Sequence, residues 1–139
     1  MQREEQRART FSWQVRVYYE DTDFGGVVYY ANYLRFFERA RTEWLRALGA
    51  DHQRLAAEHG LVFVVRRAEI DFVRAARLDD LLEITVEPAE NKHTYVVLRQ
   101  RALRGGELMA GALIQVACVR RDDYRPVPIP PDYAERMQA

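Results

Sequence analysis

Only one stretch of this chain has the periodicity of a long helix. From about Tyr30 to Leu48, the residues Tyr33, Phe36, Phe37, Ala40, Trp44 and Leu48 recur at helical spacing, while Arg35, Glu38, Arg39, Glu43 and Arg46 take the other face. The other long apolar segments read as strands. FSWQVRVYY precedes the helix, and LVFVVRRAEIDFV, LLEITVEP, HTYVVLRQRAL and LMAGALIQVACVRR follow it, divided by the turn-prone or charged stretches RLDD, AENK and RGGE. Connections this short between the last three strands favour antiparallel neighbours over βαβ crossovers. A single long helix must therefore serve a largely antiparallel sheet of about five strands. Its aromatic stripe is the surface expected to pack on that sheet, in an α+β layer arrangement.

Smaller elements fit around this frame. Gly49 is placed to end the long helix, DHQRLAAEHG reads as a short second helix closed by Gly60, and the proline-punctuated RPVPIPPDYAERMQA leads to a short terminal helix. Residues 1–10 are expected to form a flexible charged tail, and 11–139 a single domain. No internal repeat or low-complexity linker interrupts it.

Charge and cysteine content narrow the functional classes. Twenty-one basic residues balance 21 acidic ones, so no overall field draws the chain to nucleic acid or to an anionic membrane. No run of about 18 apolar residues is present, which argues against membrane insertion, and the polar N-terminus lacks the apolar stretch of a signal peptide. Cys118 is the single cysteine, which rules out an intrachain disulfide and points to the reducing cytoplasm.

The chemistry concentrates in YYEDTDFGGVVYY, residues 18–30, between the first strand and the helix. Asp21 and Asp23 have the spacing that opens a calcium loop, but Gly25 and Asn32 stand where such a loop needs an Asp or Asn and a Glu. GGVVYY lacks the glycine spacing of a nucleotide loop. A third reading uses all the parts: a carboxylate on a loop, glycines that let a ligand approach the main chain, and a helix N-terminus whose free N–H groups stabilise an oxyanion. That combination suits acyl-transfer hydrolysis without Ser or Cys, and the chain has no G-x-S-x-G element. An Asp before a helix is also commonly a cap or turn former, a role open to each acid here.

These residues resemble a known family. RVYYEDTDFGGVVYYANYLRFFERARTEWLR and, further on, FVVRRAEIDFVRAARLDDLLEI are similar to hotdog-fold acyl-CoA thioesterases of the 4-hydroxybenzoyl-CoA thioesterase type, and most of all to the YbgC-type, tol-pal-associated group. The resemblance spans about Trp13 to Val119. It implies a hotdog fold, a helix wrapped by an antiparallel sheet, paired into homodimers with active sites at the subunit interface and commonly assembled into homotetramers. The implied substrate is an acyl-CoA or acyl carrier protein thioester, hydrolysed without cofactor or metal.

Residue by residue, the family's catalytic aspartate falls on Asp23 and its backbone oxyanion donor on the N–H of Tyr30. Tyr19 matches a tyrosine of the YbgC-type site. Gly26, Val28 and Tyr29 are expected to line the substrate, and Lys92 with His93 to hold the CoA phosphates, from the same or a neighbouring subunit. Where the YbgC pattern carries a histidine, this chain has Tyr30, as the 4-hydroxybenzoyl-CoA enzymes do. The backbone donor survives that change, whereas an imidazole role does not. Asp23 could act as nucleophile, through a mixed anhydride, or as general base on water. The alternative function is a non-hydrolytic module that binds acyl-CoA or acyl carrier protein. A hotdog dehydratase is disfavoured, because no histidine precedes His52.

Overall fold

A computed structural model describes residues 10–138; most of the expected N-terminal tail, residues 1–9, lies outside them. The order of elements is β1 (Phe11–Arg16), a 3-10 turn (Tyr19–Asp21), α1 (Asn32–Ala47), α2 (His52–His59), β2 (Leu61–Phe72), β3 (Leu81–Asn91), β4 (Tyr95–Arg104), β5 (Glu107–Arg120) and α3 (Pro131–Arg136). The five strands form one sheet in the order β1-β3-β4-β5-β2, and every neighbouring pair is antiparallel. β1 and β2 are its edges. Register shifts at Val65/Arg67, Pro88/Glu90 and Ala102/Leu103 break the ladders and bend the strands, which curves the sheet about the helix.

The helix packs as its stripe requires. Tyr33, Phe36, Phe37, Ala40 and Trp44 are buried, together with Leu45, and they join a core that includes Leu82, Ile84 and Val86 of β3, Leu98 of β4 and Ile114 of β5. Burying one such large apolar side chain is worth about 1.5–3 kcal/mol, so this stripe is the main reason the helix holds its place. Leu48, at the end of the stripe, is only partly buried.

Local chemistry closes the smaller elements. The Asp51 side chain accepts from the Arg54 N–H at 2.8 Å as the cap of α2, and Gly60 ends it in the left-handed conformation at φ 65°. The C-terminus of α1 is closed from far along the chain. Arg136 on α3 donates to the carbonyls of Leu48 at 2.9 Å and Gly49 at 3.2 Å.

Two boundaries differ from the sequence expectation. β1 stops at Arg16 rather than continuing to Tyr19, because Tyr18 and Tyr19 turn away into the 3-10 turn closed by the Asp21 N–H on the Tyr18 carbonyl at 3.0 Å. α1 starts at Asn32 rather than Tyr30, since residues 29–31 first form a tight turn, with the Asn32 N–H on the Tyr29 carbonyl at 2.8 Å. No helix among the described residues is long and apolar enough to cross a membrane.

Candidate active site

The acidic loop is a small clasp. The Asp23 N–H donates to the Val27 carbonyl at 2.9 Å, the Gly26 N–H returns to the Asp23 carbonyl at 3.0 Å, and Thr22 pairs with Val28 as an isolated bridge. The returning arm is held from outside the loop. Val28 donates to the Ala76 carbonyl at 2.8 Å, and Val27 pairs with Arg77, both in the connection between β2 and β3. Gly26 has φ 76°, which only glycine adopts without strain. At Gly25 the constraint is space instead: a Cβ there would lie 3.3 Å from Asp23 Oδ1.

The three acids separate into different roles. Asp21 is buried; its carboxylate accepts from the Tyr18 N–H at 2.8 Å and from Asn32 Nδ2 at 2.7 Å, while its carbonyl accepts from the Tyr29 N–H at 3.0 Å. It therefore ties the 3-10 turn to both the approach and the first residue of α1. Asp23 is exposed, and Oδ1 accepts from the Gly25 N–H at 2.8 Å in an Asx-type turn. Its Oδ2 has no hydrogen-bond or ion-pair partner among the described residues. Glu20 is exposed as well.

Tyr30 follows directly on the clasp. Among the described residues nothing accepts from its backbone N–H, nor from that of Ala31, so two donors stand free at the entrance to α1. The Tyr30 ring lies 4.9 Å from that of Tyr29 and 6.1 Å from Phe72, which in turn meets Tyr33 at 5.6 Å. A cleft of about 250 Å³ runs here, lined by Val28, Tyr30, Tyr33, Phe72, Val73 and Arg74.

Aromatic rings near the loop are unusually exposed: Tyr18 by 62%, Tyr19 by 81%, Tyr30 by 62% and Phe72 by 50%, with Phe24 fully exposed. Exposed apolar surface concentrated in one place is the mark of a contact or binding surface.

The loop thus brings together Asp23, Gly26, Val28, Tyr29 and Tyr30. Tyr19 sits on the 3-10 turn that enters it, and its carbonyl accepts from Thr22. Lys92 and His93 are placed elsewhere. They lie in the β3–β4 connection, and β3 begins beside the loop at Leu81 and runs 11 residues away from it. At about 3.3 Å per residue that is a strand path of roughly 35 Å within one protomer.

Arg74, which lines the cleft, and Arg77, which pairs with Val27, are cations close to the loop that sequence reasoning passed over. Their position in RAARLDD, in the strand connection nearest the motif, gave no local signal. One grouping of metal-ligating atoms occurs among the described residues, Glu58, His59 and Asp132, with the atoms within 4.8 Å of one another. It lies on α2 and α3 at the surface, and Glu58 already pairs with Arg54 at 2.9 Å.

A five-stranded antiparallel sheet curved about one long helix, with an acidic clasp at the helix start, defines a hotdog-fold thioesterase. A family model described as the thioesterase-like superfamily matches residues 17–137, and the chain belongs to that family. It is 50% identical over 120 residues to the acyl-CoA thioesterase YbgC of Haemophilus influenzae, an alignment covering 86% of this chain and 88% of the relative. A probable thioesterase from Bartonella henselae superposes with a TM-score of 0.82 at 38% identity, covering 87% of this chain and 99% of that one. A 4-hydroxybenzoyl CoA thioesterase, crystallised as an aspartate-to-asparagine variant with 4-hydroxybenzoyl CoA, superposes with a TM-score of 0.87 at 26% identity, covering 94% and 99%.

Proposed function

We propose that this chain is an acyl-CoA thioesterase in which Asp23 drives cleavage of the thioester. The observation that carries the reading is the clasp: a loop carboxylate with one oxygen free, closely followed by free N–H groups at the start of the buried helix. The extensive identity to an acyl-CoA thioesterase supports the substrate class.

In one route the Asp23 carboxylate attacks the thioester carbon, the C–S bond breaks, CoA leaves as thiolate, and water then hydrolyses the mixed anhydride. In the other, Asp23 takes a proton from water as that water attacks. Both place negative charge on the carbonyl oxygen, where the Tyr30 N–H would donate to it. Removing one such donor costs roughly 3–4 kcal/mol in enzymes that depend on it. The thiolate needs little protonic help, since thiols ionise near pKa ~8.5.

The experiment is thiol release from a panel of short, long and aromatic acyl-CoAs, for the parent and for Asp23→Asn. We expect turnover by the parent on at least one member and a loss of at least about a hundredfold in kcat/KM for the variant, of the size seen when a catalytic carboxylate is lost. Unchanged activity in Asp23→Asn would remove Asp23 from the chemistry. A parent that binds acyl-CoA without releasing thiol would make this a binding module instead.

The homodimer is part of the same reading. β2 is a 12-residue edge strand whose backbone has no neighbouring strand on one side among the described residues, and Val65, Phe72 and Val73 are about half exposed along and just beyond it. Pairing β2 with its copy in a second protomer would cover that edge, and it would let Lys92, His93 or Tyr19 of one subunit approach the loop of the other. Two such dimers would make the tetramer, and light scattering should give two or four times 16.3 kDa; a monomeric mass would exclude the assembly. The buried thiol of Cys118 suits a reducing cytoplasm, which cell fractionation would check.

A further inference from the structure

Arg41 does not behave like the other arginines of α1. It lies one residue beyond the fully buried Ala40, and its Nη1 donates to Gln100 Oε1 of β4 at 3.0 Å. Gln100 is itself fully buried, and its Nε2 donates to the carbonyls of Phe37 at 3.0 Å and Thr85 at 3.3 Å. With the amide nitrogen committed to two carbonyls, the amide oxygen must face the guanidinium. The arginine is thus held in place by a neutral group.

Among the described residues no carboxylate lies within ion-pair distance of Arg41. Glu38, one turn earlier, favours the charge through space, yet burial dominates and pulls the Arg41 pKa below its usual value. A partly desolvated guanidinium bonded to one neutral oxygen is an expensive arrangement unless a further acceptor meets it.

Such an acceptor has room. Arg41 lines a cavity of about 170 Å³ together with Thr42, Trp44, His52, Phe63 and Leu98, with Glu38 also at its wall. His52 meets Phe63 edge to face at 6.1 Å. Burial, and after it Arg41, lower the His52 pKa, so the neutral ring keeps one N–H to donate at pH 7. Eleven residues of chain at about 1.5 Å rise put Arg41 roughly 16 Å along the helix direction from Tyr30. Within one protomer, the cavity is separate from the acidic clasp.

We propose that this cavity is a binding site for a small monocarboxylic acid, its carboxylate on Arg41 and the His52 N–H and its apolar part against Trp44, Phe63 and Leu98. A cavity of about 150 Å³ takes benzene, so this one admits a phenyl ring or a chain of about four to six carbons. Glu38 at the wall selects against a second carboxylate on the ligand. Acids of this kind are also what thioester hydrolysis releases, but the site stands independently of the catalytic reading.

The test is calorimetric titration of the parent with benzoate and hexanoate, and with the neutral analogues benzamide and hexanamide. The carboxylates should bind once per protomer in or below the millimolar range, with the amides at least tenfold weaker. Arg41→Gln should weaken carboxylate binding at least tenfold, and Asp23→Asn should leave it unchanged. Equal affinity for acid and amide, or no binding, overturns the proposal using the parent protein alone, even if Arg41→Gln fails to fold. Loss of binding in Asp23→Asn would also overturn it, by placing the acid in the clasp.

Discussion

Two aspartates two residues apart should fail in opposite ways when substituted. Asp21 is buried and accepts from the Tyr18 N–H and Asn32 Nδ2 at 2.8 and 2.7 Å. Asp21→Ala leaves both donors without that acceptor. The Tyr18 bond is only partly buried, so water can take the place of the lost acceptor and the loss there is about 1 kcal/mol. Asn32 is 7% exposed, and its stranded amide costs about 2 kcal/mol. The expected total is about 3 kcal/mol, a large share of the 5–15 kcal/mol that holds a typical domain together. For a chain of this length it should lower Tm by about 10 °C.

Asp23→Asn keeps an oxygen for the Gly25 N–H on an exposed loop, so its stability should stay within about 0.5 kcal/mol of the parent. Urea denaturation at fixed protein concentration, read beside thiol release, gives both quantities for both variants. Asp21→Ala should lose stability heavily and Asp23→Asn should lose activity. If Asp21→Ala unfolds at the parent's urea midpoint, or if Asp23→Asn loses as much stability as Asp21→Ala, the division of labour in the clasp is wrong.

The glycines of the clasp should also separate. Gly26→Ala forces a left-handed residue at φ 76° and should cost about 1–2 kcal/mol by denaturant melt. Gly25→Ala brings a Cβ to 3.3 Å from Asp23 Oδ1 and should lower kcat more than it lowers stability; the reverse order would contradict the placement of that carboxylate. Cys118 is fully buried, and burial pushes its thiol up to about 11, so thiol reagents at pH 8 should label it only as the protein unfolds. Because this pKa is raised in the folded state, its contribution to stability is present below pH ~8.5 and fades as pH rises toward 11. The parent should lose about 3 kcal/mol more over that range than Cys118→Ala, measured by urea melts at each pH.

The fold was legible because its signals are periodic. Six apolar residues at helical spacing, and Leu82, Ile84 and Val86 alternating with Glu83, Thr85 and Glu87, report directly which side of each element faces the apolar core. The loop was legible through its residue types and its resemblance to a known family, but Asp21 and Asp23 are the same residue in the same loop. Only the clasp separates them, by turning one toward Asn32 and the other toward solvent. Arg41 left a trace in the sequence, lying four residues after Phe37 and three before Trp44 at the edge of the stripe. Its partner Gln100 is 59 residues away and left none.

By itself, then, the sequence determined one amphipathic helix, a set of antiparallel strands and an acidic loop at the helix start, since each depends on neighbours a few positions apart. Tertiary structure decided the rest: β2 as the edge strand beside β5, the closing of α1 by Arg136, the burial of Asp21 and the seating of Arg41 against Gln100. Each of these joins groups well separated in the chain, and such pairing is fixed by how the elements pack rather than by local propensity.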